Sequence, residues 1–532
     1  MVKYSAEVVV IGGGATGVGV LRDLAMRGYS AILVERGDLA SGTTGRFHGL
    51  LHSGARYVVS DPQTAKECAA ENSILARIHA DAVELTGGYF VSLPQDDPSY
   101  AARFSAGAAA CHVPVTEVDT DECLRAEPRL NPAITRAFST CDQAIDGWAM
   151  VTGAAGSAVE YGARVLTYHQ VQAIQRVHGQ VVAVACRDLK SGAQVEIECN
   201  FVINAAGVWA AQVAELAGIS DIGVVAGRGI MIAMAHRLVH SVISRCRYPS
   251  DGDLLVPAHT VTIIGTTDKS TANLDRLEIP AGEVQEMLDA GEALVPGFRQ
   301  TRALRAWAGG RPLVQDHNLA DADTRGLSRS MIVINHKERD HLSGMITVIG
   351  GKLSTYRLMA AQAVDLMCAQ LGESRLCRTD QEAVPATRQR QNARLDERFA
   401  TREQQAVTER GFDDQLICEC ELVTKGMLQQ VLIANPTASF DDVRRLLRLG
   451  MGPCQGGFCA LRAAGIAAEL AQGETGAANV RLAQFIANRW GGQQPILYGD
   501  QLRQVVLDMQ LQHGILNIPQ LGGNGISPNQ ET

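Results

Sequence analysis

The sequence predicts an α/β chain: a Rossmann-like dinucleotide-binding domain with an antiparallel substrate layer, then a small helical metal-binding module. Two observations carry this. Ile11-Gly-Gly-Gly-Ala-Thr-Gly17 lies between an apolar strand and a helical stretch. Far downstream, Cys418-Glu-Cys420 and Cys454-Gln-Gly-Gly-Phe-Cys459 flank a helix-length insert. Two close thiolate pairs are what a four-coordinate metal centre needs. A dinucleotide at one end and a metal centre at the other imply an electron relay. That separates a dehydrogenase feeding a partner from an oxidase feeding dioxygen.

Residues 7–11 read as a buried parallel strand, Thr16 to Arg27 has helical spacing, and Ala31 to Glu35 is the second strand of a βαβ unit. Gly12 permits the tight turn between them. Gly14 lets backbone amides approach a pyrophosphate resting on the helix N-terminus, and Glu35 can accept from ribose hydroxyls. A lone glycine motif can be no more than a turn. Here strand, helix and acid all stand where the mechanism requires, although the motif by itself does not separate FAD from NAD.

Phe201 to Ala206 and Met345 to Gly351 read as further strands ending in small residues. Gly229 to Ala233 and Val261 to Gly265 suggest antiparallel strands of the substrate layer. These elements define an oxidoreductase domain over 1–379. Residues 380–412 are rich in Arg, Gln, Glu and Asp and read as a linker or solvated helix. The cysteine module spans 413–475. In it Ser439-Phe-Asp-Asp442 has the form of a capping box, Val443 to Leu449 continues that helix, Gly450 is placed to end it, and Ala460 to Gln472 is a second helix. An extension over 476–532 holds Phe485, Trp490 and Tyr498, of which the last two are expected to cover the module or help docking. Its tail from Gly522 is expected to be disordered.

The chain has 532 residues, 46% hydrophobic and 20% charged, so a sizeable core is expected. Net charge is −9 with no long basic block, which argues against a nucleic-acid partner. The N-terminus carries no signal-peptide pattern, and no window approaches the roughly 20 apolar residues of a membrane span. A soluble, cytoplasmic chain is expected. Of 13 cysteines, the nine outside the two pairs show no ligand spacing and are expected to be buried small apolar residues.

One segment distinguishes the nucleotide. Ser41-Gly-Thr-Thr-Gly-Arg46-Phe-His48-Gly-Leu-Leu-His52-Ser-Gly-Ala-Arg56-Tyr57 resembles the flavin-contacting stretch of FAD-dependent glycerol-3-phosphate dehydrogenases, within the glycine/D-amino-acid oxidase-like superfamily. Asn204-Ala-Ala-Gly-Val-Trp209, Gly265-Thr-Thr-Asp268, Gly309-Gly-Arg311 and Gly350-Gly-Lys352-Leu-Ser-Thr355-Tyr-Arg357 resemble other motifs of that family. Cys141 to Trp148 departs from it, lacking the expected Pro-Asp-Gly turn, though Asp146-Gly still permits one. The cysteine module following the flavin domain resembles the large catalytic subunits of bacterial anaerobic glycerol-3-phosphate dehydrogenases. The resemblance runs from residue 6 to about 500.

The resemblance implies FAD held by Gly12, Gly13, Gly14, Ala15, Thr16, Gly17, Glu35, Arg36, Ser41, Thr43, Thr44, Arg46, His48, Gly49, Ala206, Gly207, Trp209, Gly350, Gly351, Lys352 and Leu353. It implies oxidation of sn-glycerol 3-phosphate to dihydroxyacetone phosphate, and electrons passed through an iron–sulfur centre to partner subunits and the quinone pool. One partner would be a membrane-anchoring iron–sulfur subunit, placing the chain peripherally on the inner face of the cell membrane.

Flavin oxidation of a secondary alcohol needs a hydride acceptor, a base for the hydroxyl proton and an anchor for the phosphate. Arg56, Arg311 and Arg357, with Lys352, are candidate anchors, because planar permanent cations suit phosphate; a structural salt bridge is the alternative for each. His52 is the candidate base, or else a group orienting the flavin. Tyr57, Asp268 and Thr355 are candidate orienting groups. For Cys418, Cys420, Cys454 and Cys459, zinc is the alternative to iron. The spacing departs from common zinc knuckles, the surrounding glycines could expose amides to sulfides, and the pattern resembles the [2Fe-2S] domain of bacterioferritin-associated ferredoxin. Two other readings stand: an amine or amino-acid dehydrogenase of the same superfamily, and an electron-transfer protein without catalysis.

Overall fold

The strands Val8–Ile11 and Ala31–Val34 pair in parallel, Ile11 opposite Val34, and all eight residues are buried. Such runs are apolar throughout because helices cover both faces of a parallel sheet. In the computed structural model, which describes residues 2–314, 331–389, 415–473 and 475–515, this pair lies inside a six-stranded sheet. Its order is Arg164–Leu166, Ala31–Val34, Val8–Ile11, Phe201–Asn204, Met345–Ile349 and Ile332–Asn335, with only the last pairing antiparallel. The expected helix runs over Ala15–Met26 and packs on helices Gly147–Glu160 and Tyr356–Leu371. Most of the expected linker, and the tail from Gly522, lie outside the described residues.

The topology places the cofactor motifs. Gly12 follows one strand, Glu35 its neighbour, Ala205 the strand on the other side and Gly350 the one beyond. All four are at the carboxyl ends of parallel strands, where ligands bind in open α/β sheets.

The substrate layer is a mixed, mostly antiparallel sheet. Val224–Met234 pairs with Val261–Gly265 on one side and with Ala303–Val314 on the other. Its core of Ile230, Ile232, Met234, Ile264 and Leu255 is capped by helix Ala281–Leu294.

In the cysteine module a two-stranded ribbon, Leu416–Cys418 with Val423–Thr424, precedes helices Lys425–Ala434, Phe440–Leu447 and Cys459–Leu470. The capping box forms: Ser439 Oγ accepts from Asp442 N at 3.1 Å, and the Asp442 carboxylate accepts from Ser439 N at 2.8 Å. The helix ends earlier than expected. Arg448 takes the left-handed cap at φ 63°, and Gly450 opens the next turn at φ 73°. Helix Thr475–Gln493 is part of the module, since Ala478, Leu482, Phe485 and Ile486 complete its core. Tyr498 packs instead on the substrate layer, donating to Arg299 O. Two of the nine scattered cysteines depart from the expected burial: Cys141 is exposed and Cys377 half-buried.

Candidate active site and cluster site

The glycine motif adopts a conformation that other residues would resist. Gly12 has φ 111°, and a Cβ there would sit 2.6 Å from Ala205 O. A Cβ on Gly17 would lie 1.8 Å from Gly12 O, so only glycine lets turn and helix approach this closely. The helix begins at Ala15 with Gly14 as a cap that offers no side chain. Its first amide, Ala15 N, donates to Thr44 Oγ1 at 3.0 Å, bringing the 41–46 loop over the helix N-terminus. The Glu35 carboxylate accepts from Gly13 N at 2.6 Å and Gly37 N at 2.7 Å, and burial pushes its pKa up against those two amides. The acid expected at a ribose thus also clamps the glycine loop.

The other flavin motifs converge on this loop. Thr43 Oγ1 donates to Gly310 O at 2.6 Å, and a Cβ on Gly309 would lie 2.3 Å from Arg46 O. Trp209 lies across Gly42, with the Arg36 guanidinium 4.3 Å above its ring; Asp275 accepts from Trp209 Nε1 at 3.0 Å and from Arg36 at 2.8 Å. Gly49, Gly207, Gly350 and Gly351 all have positive φ. Asn204, buried, holds the Ala206 turn by accepting from Ala206 N and donating to Ala210 O. A helix N-terminus, backbone-lined approaches and a ring of hydroxyls suit a dinucleotide, so these residues fit FAD.

Three catalytic candidates, His52, Tyr57 and Lys352, come together beside His48 of the expected cofactor set. The His52 ring lies 5.3 Å from the Tyr57 ring and 5.8 Å from that of His48, and Lys352 Nζ is 4.4 Å over the Tyr57 ring. Ser354 Oγ accepts from His52 N at 3.0 Å, joining the 350–356 loop to the 48–57 loop.

The arginines divide. Arg311, half-buried on strand Ala303–Val314, reaches Asp268 at 3.0 Å and Thr267 O at 3.0 Å, and contacts Thr266 Oγ1. Arg56 bonds Asp253, which is fully buried, at 2.8 Å; burial works against the guanidinium charge and the carboxylate outweighs it, leaving the pKa above its ordinary value. Arg357, expected as an anchor, is buried and bonded to Glu71 on helix Pro62–Ile78 through Nε at 2.8 Å and through Nη2. It therefore ties two helices together. Thr355 also has a turn role: its hydroxyl accepts from Lys352 N and donates to Lys352 O, both at 3.2 Å. Asp146, expected in a turn, caps helix Gly147–Glu160 by accepting from Trp148 N and Ala149 N.

Asp253, Glu71 and Asp142, whose Oδ1 accepts from Ser53 N at 2.7 Å, escape sequence reasoning. Each is a single acid far from the group it holds, with no spacing signal.

In the cysteine module the thiol of Cys459 contacts those of Cys418 and Cys454, and Cys454 contacts Cys420. Sharing the Cys459 proton lowers the Cys454 thiol to about 5, lowers that of Cys418 and pushes Cys459 up. Backbone amides of Gly456 and Phe458 point at Cys454, and those of Gly450 and Glu421 at Cys418. A Cβ on Gly452 would meet the Cys420 Cβ at 2.2 Å. Thiolates receiving amide hydrogen bonds are the donor set an iron–sulfur cluster takes.

The two sites meet across a charged seam. Arg448 reaches Glu421 at 3.1 Å and Asp146 at 3.3 Å, Arg445 reaches Asp38 at 2.8 Å, and Tyr168 donates to Asp442 at 2.5 Å. The Arg444 guanidinium lies 5.3 Å from the Trp148 ring, and a Cβ on Gly45 would fall 2.5 Å from Trp148 Nε1. The module thus abuts the flavin loop.

Residues 7–357 match the family model described as FAD dependent oxidoreductase, and residues 416–469 match the BFD-like [2Fe-2S] binding domain. The second match decides the metal centre for iron over zinc. The chain is similar to an anaerobic glycerol-3-phosphate dehydrogenase subunit of Escherichia coli (strain K12), 40% identical over 94% of this chain and 95% of the relative. The corresponding Haemophilus influenzae protein is 37% identical over 99% and 95%. The fold is similar to that of a glycerol-3-phosphate dehydrogenase from Bacillus halodurans complexed with FAD, with TM-score 0.59 and 19% identity over 97% of this chain and 88% of that one. A glycine oxidase from Bacillus cereus gives TM-score 0.55 and 20% identity over 69% and 95%. Sequence, cofactor cradle and cysteine module agree: the chain belongs to the family of large catalytic subunits of anaerobic glycerol-3-phosphate dehydrogenases, FAD-dependent oxidoreductases that carry a [2Fe-2S] domain.

Proposed function

We propose that the chain oxidises sn-glycerol 3-phosphate to dihydroxyacetone phosphate and delivers the electrons, through the centre held by Cys418, Cys420, Cys454 and Cys459, to partner subunits and from them to the quinone pool. FAD supplies the hydride acceptor when bound, and the cluster a one-electron carrier. The observation that carries the reading is the convergence of His52, Tyr57 and Lys352 beside the flavin loop, in a chain 40% identical to an anaerobic glycerol-3-phosphate dehydrogenase subunit along nearly its whole length.

His52 takes the hydroxyl proton. Its ring is buried beside Tyr57, and an imidazole changes charge near neutral pH. Lys352 and Arg311 hold the phosphate, while Arg56 is bonded to Asp253. Arg311 is held in place by Asp268 and the Thr266–Thr267 turn, so its fork is oriented before substrate arrives. Arg357, bonded to Glu71, supports the 350–356 loop from behind. Attachment to the inner face of the membrane belongs to an anchoring partner, since no helix among the described residues is long and apolar enough to cross a bilayer.

Anaerobic addition of glycerol 3-phosphate to purified protein, followed at the flavin absorbance band, tests the reading. Rapid bleaching by this substrate, and none by glycerol or by a panel of amines and amino acids, is expected. Bleaching by an amino acid alone overturns it. Arg311→Ala is expected to raise the Michaelis constant about 10- to 100-fold, the worth of one charged hydrogen-bonding partner; an unchanged constant removes Arg311 as anchor.

A further inference from the structure

We propose that Arg489 supplies fixed positive charge to the cysteine-bound cluster, raising the fraction of the centre that is reduced at a given potential. The inference rests on the reading that Cys418, Cys420, Cys454 and Cys459 hold a [2Fe-2S] cluster.

Helix Thr475–Gln493 carries Arg489 into the module's interior, where it is 6% exposed. A buried guanidinium is ordinarily matched by a carboxylate. Its neighbours on the seam obey that rule: Arg445 has Asp38 and Asp442, and Arg448 has Glu421 and Asp146. Arg489 bonds neutral groups instead. Its Nη1 donates to Gln455 Oε1 at 3.2 Å, its Nη2 faces Met451 Sδ at 3.6 Å, and its guanidinium lies 4.9 Å over the Phe485 ring.

The groups around it make the imbalance larger. Arg305 faces it from strand Ala303–Val314, and Arg444 from helix Phe440–Leu447. Arg305 Nε is itself buried without a hydrogen-bond partner. Asp441, the carboxylate facing this group, is bonded by Arg444 Nε at 2.8 Å and by Asn488. Burial, together with the two neighbouring guanidiniums, disfavours the charged form of Arg489. A guanidinium stays protonated even in such a place, so its charge, unmatched by a bonded carboxylate, is left to interact with the nearest anion.

The cluster is that anion. Four thiolates and bridging sulfides leave it net negative, and one electron from a reductant turns one ferric ion ferrous and adds one negative charge. Gln455 directly follows the ligand Cys454, and its Nε2 is fixed on Gly452 O at 2.9 Å, leaving Oε1 turned to Arg489. Phe485, beneath the guanidinium, packs on Gly450 and Gly456 of the ligand loop. The charge is therefore held one residue from the centre, in a dry environment where Coulomb terms are strong.

Wild type, Arg489→Gln, Arg489→Lys and Gln455→Glu are poised anaerobically with dithionite and redox dyes. Reduced cluster is read by EPR, and iron and sulfide content reports loading. For Arg489→Gln the ratio of reduced to oxidised cluster at fixed potential is expected to fall about tenfold, equivalent to about 59 mV for one electron. Arg489→Lys should stay within about twofold, and Gln455→Glu, which gives the guanidinium a carboxylate without opening a void, should fall in the same direction as Arg489→Gln. An unmoved ratio in loaded Arg489→Gln, or an equal fall in Arg489→Lys, overturns the inference. If Arg489→Gln does not retain iron, Gln455→Glu decides, and an unmoved ratio there overturns it. A wild-type protein with no EPR signal on reduction overturns the cluster assignment, and the inference with it. A normal wild-type signal with unmoved variants overturns the inference alone.

Discussion

His52 and Lys352 are 300 positions apart in sequence yet flank one tyrosine ring. His52→Asn keeps a hydrogen-bonding side chain but removes the proposed base. Stopped-flow reduction of the flavin by glycerol 3-phosphate is expected to slow about 100-fold or more; a rate within a few-fold of wild type would reduce His52 to an orienting group. A second histidine, His79, controls stability rather than chemistry. Its Nε2 meets Tyr356 Oη at 2.6 Å, it is fully buried, and burial, aided by Arg22, lowers its pKa to about 3. The unfolded chain therefore binds a proton near pH 6.5 that the folded chain refuses until about pH 3. This contribution to stability is intact above the unfolded value and is lost as pH falls through the window, at about 1.4 kcal/mol per pH unit. His79→Gln is expected to melt lower at neutral pH but to show a flatter dependence of melting temperature between about pH 6 and 4.5; an unchanged slope would sink this assignment.

The short helix Phe440–Leu447 connects the module to the rest of the protein. Its Asp442, Arg444 and Arg445 all face the seam, and Ser439 sets where it begins. The cap was legible in the sequence because the Ser-x-x-Asp spacing is local. Its end was not: Gly450 carried the expected stop signal, but Arg448 takes the left-handed cap because its guanidinium is pulled toward Glu421 and Asp146. Ser439→Ala should lower the stability of the module by about 1 kcal/mol, the usual worth of a cap. Calorimetry of the holoprotein would show this as a lowered melting temperature; no shift would mean tertiary packing alone fixes the helix. The parallel strands and their terminal glycines were equally legible, since period and turn chemistry are written in consecutive residues. Register and neighbour order were not.

For the whole molecule, the proposed relay requires the module to stay seated on the flavin loop, and Arg448 is a cation shared across that contact. Arg448→Met removes it from two buried carboxylates, a change worth about 3–5 kcal/mol where both partners are desolvated. The module's unfolding should then separate from that of the flavin domain in a calorimetric trace. A single unchanged transition would show that the seam is held elsewhere. At this scale, single acids such as Asp253, Glu71 and Asp142 gain their roles only through partners brought from other parts of the chain.

Sequence alone named the cofactor motifs, the candidate ligand cysteines and the candidate base, because each motif is written in a short run of consecutive residues. Only tertiary structure decided that Arg357 is bonded to Glu71, Arg56 to Asp253 and Arg311 to Asp268. It also decided that helix Thr475–Gln493 completes the cysteine module, and that Arg489 is buried there among neutral acceptors. The physical reason is that a guanidinium's role is set by the carboxylate it meets, and that meeting is made by folding across hundreds of residues.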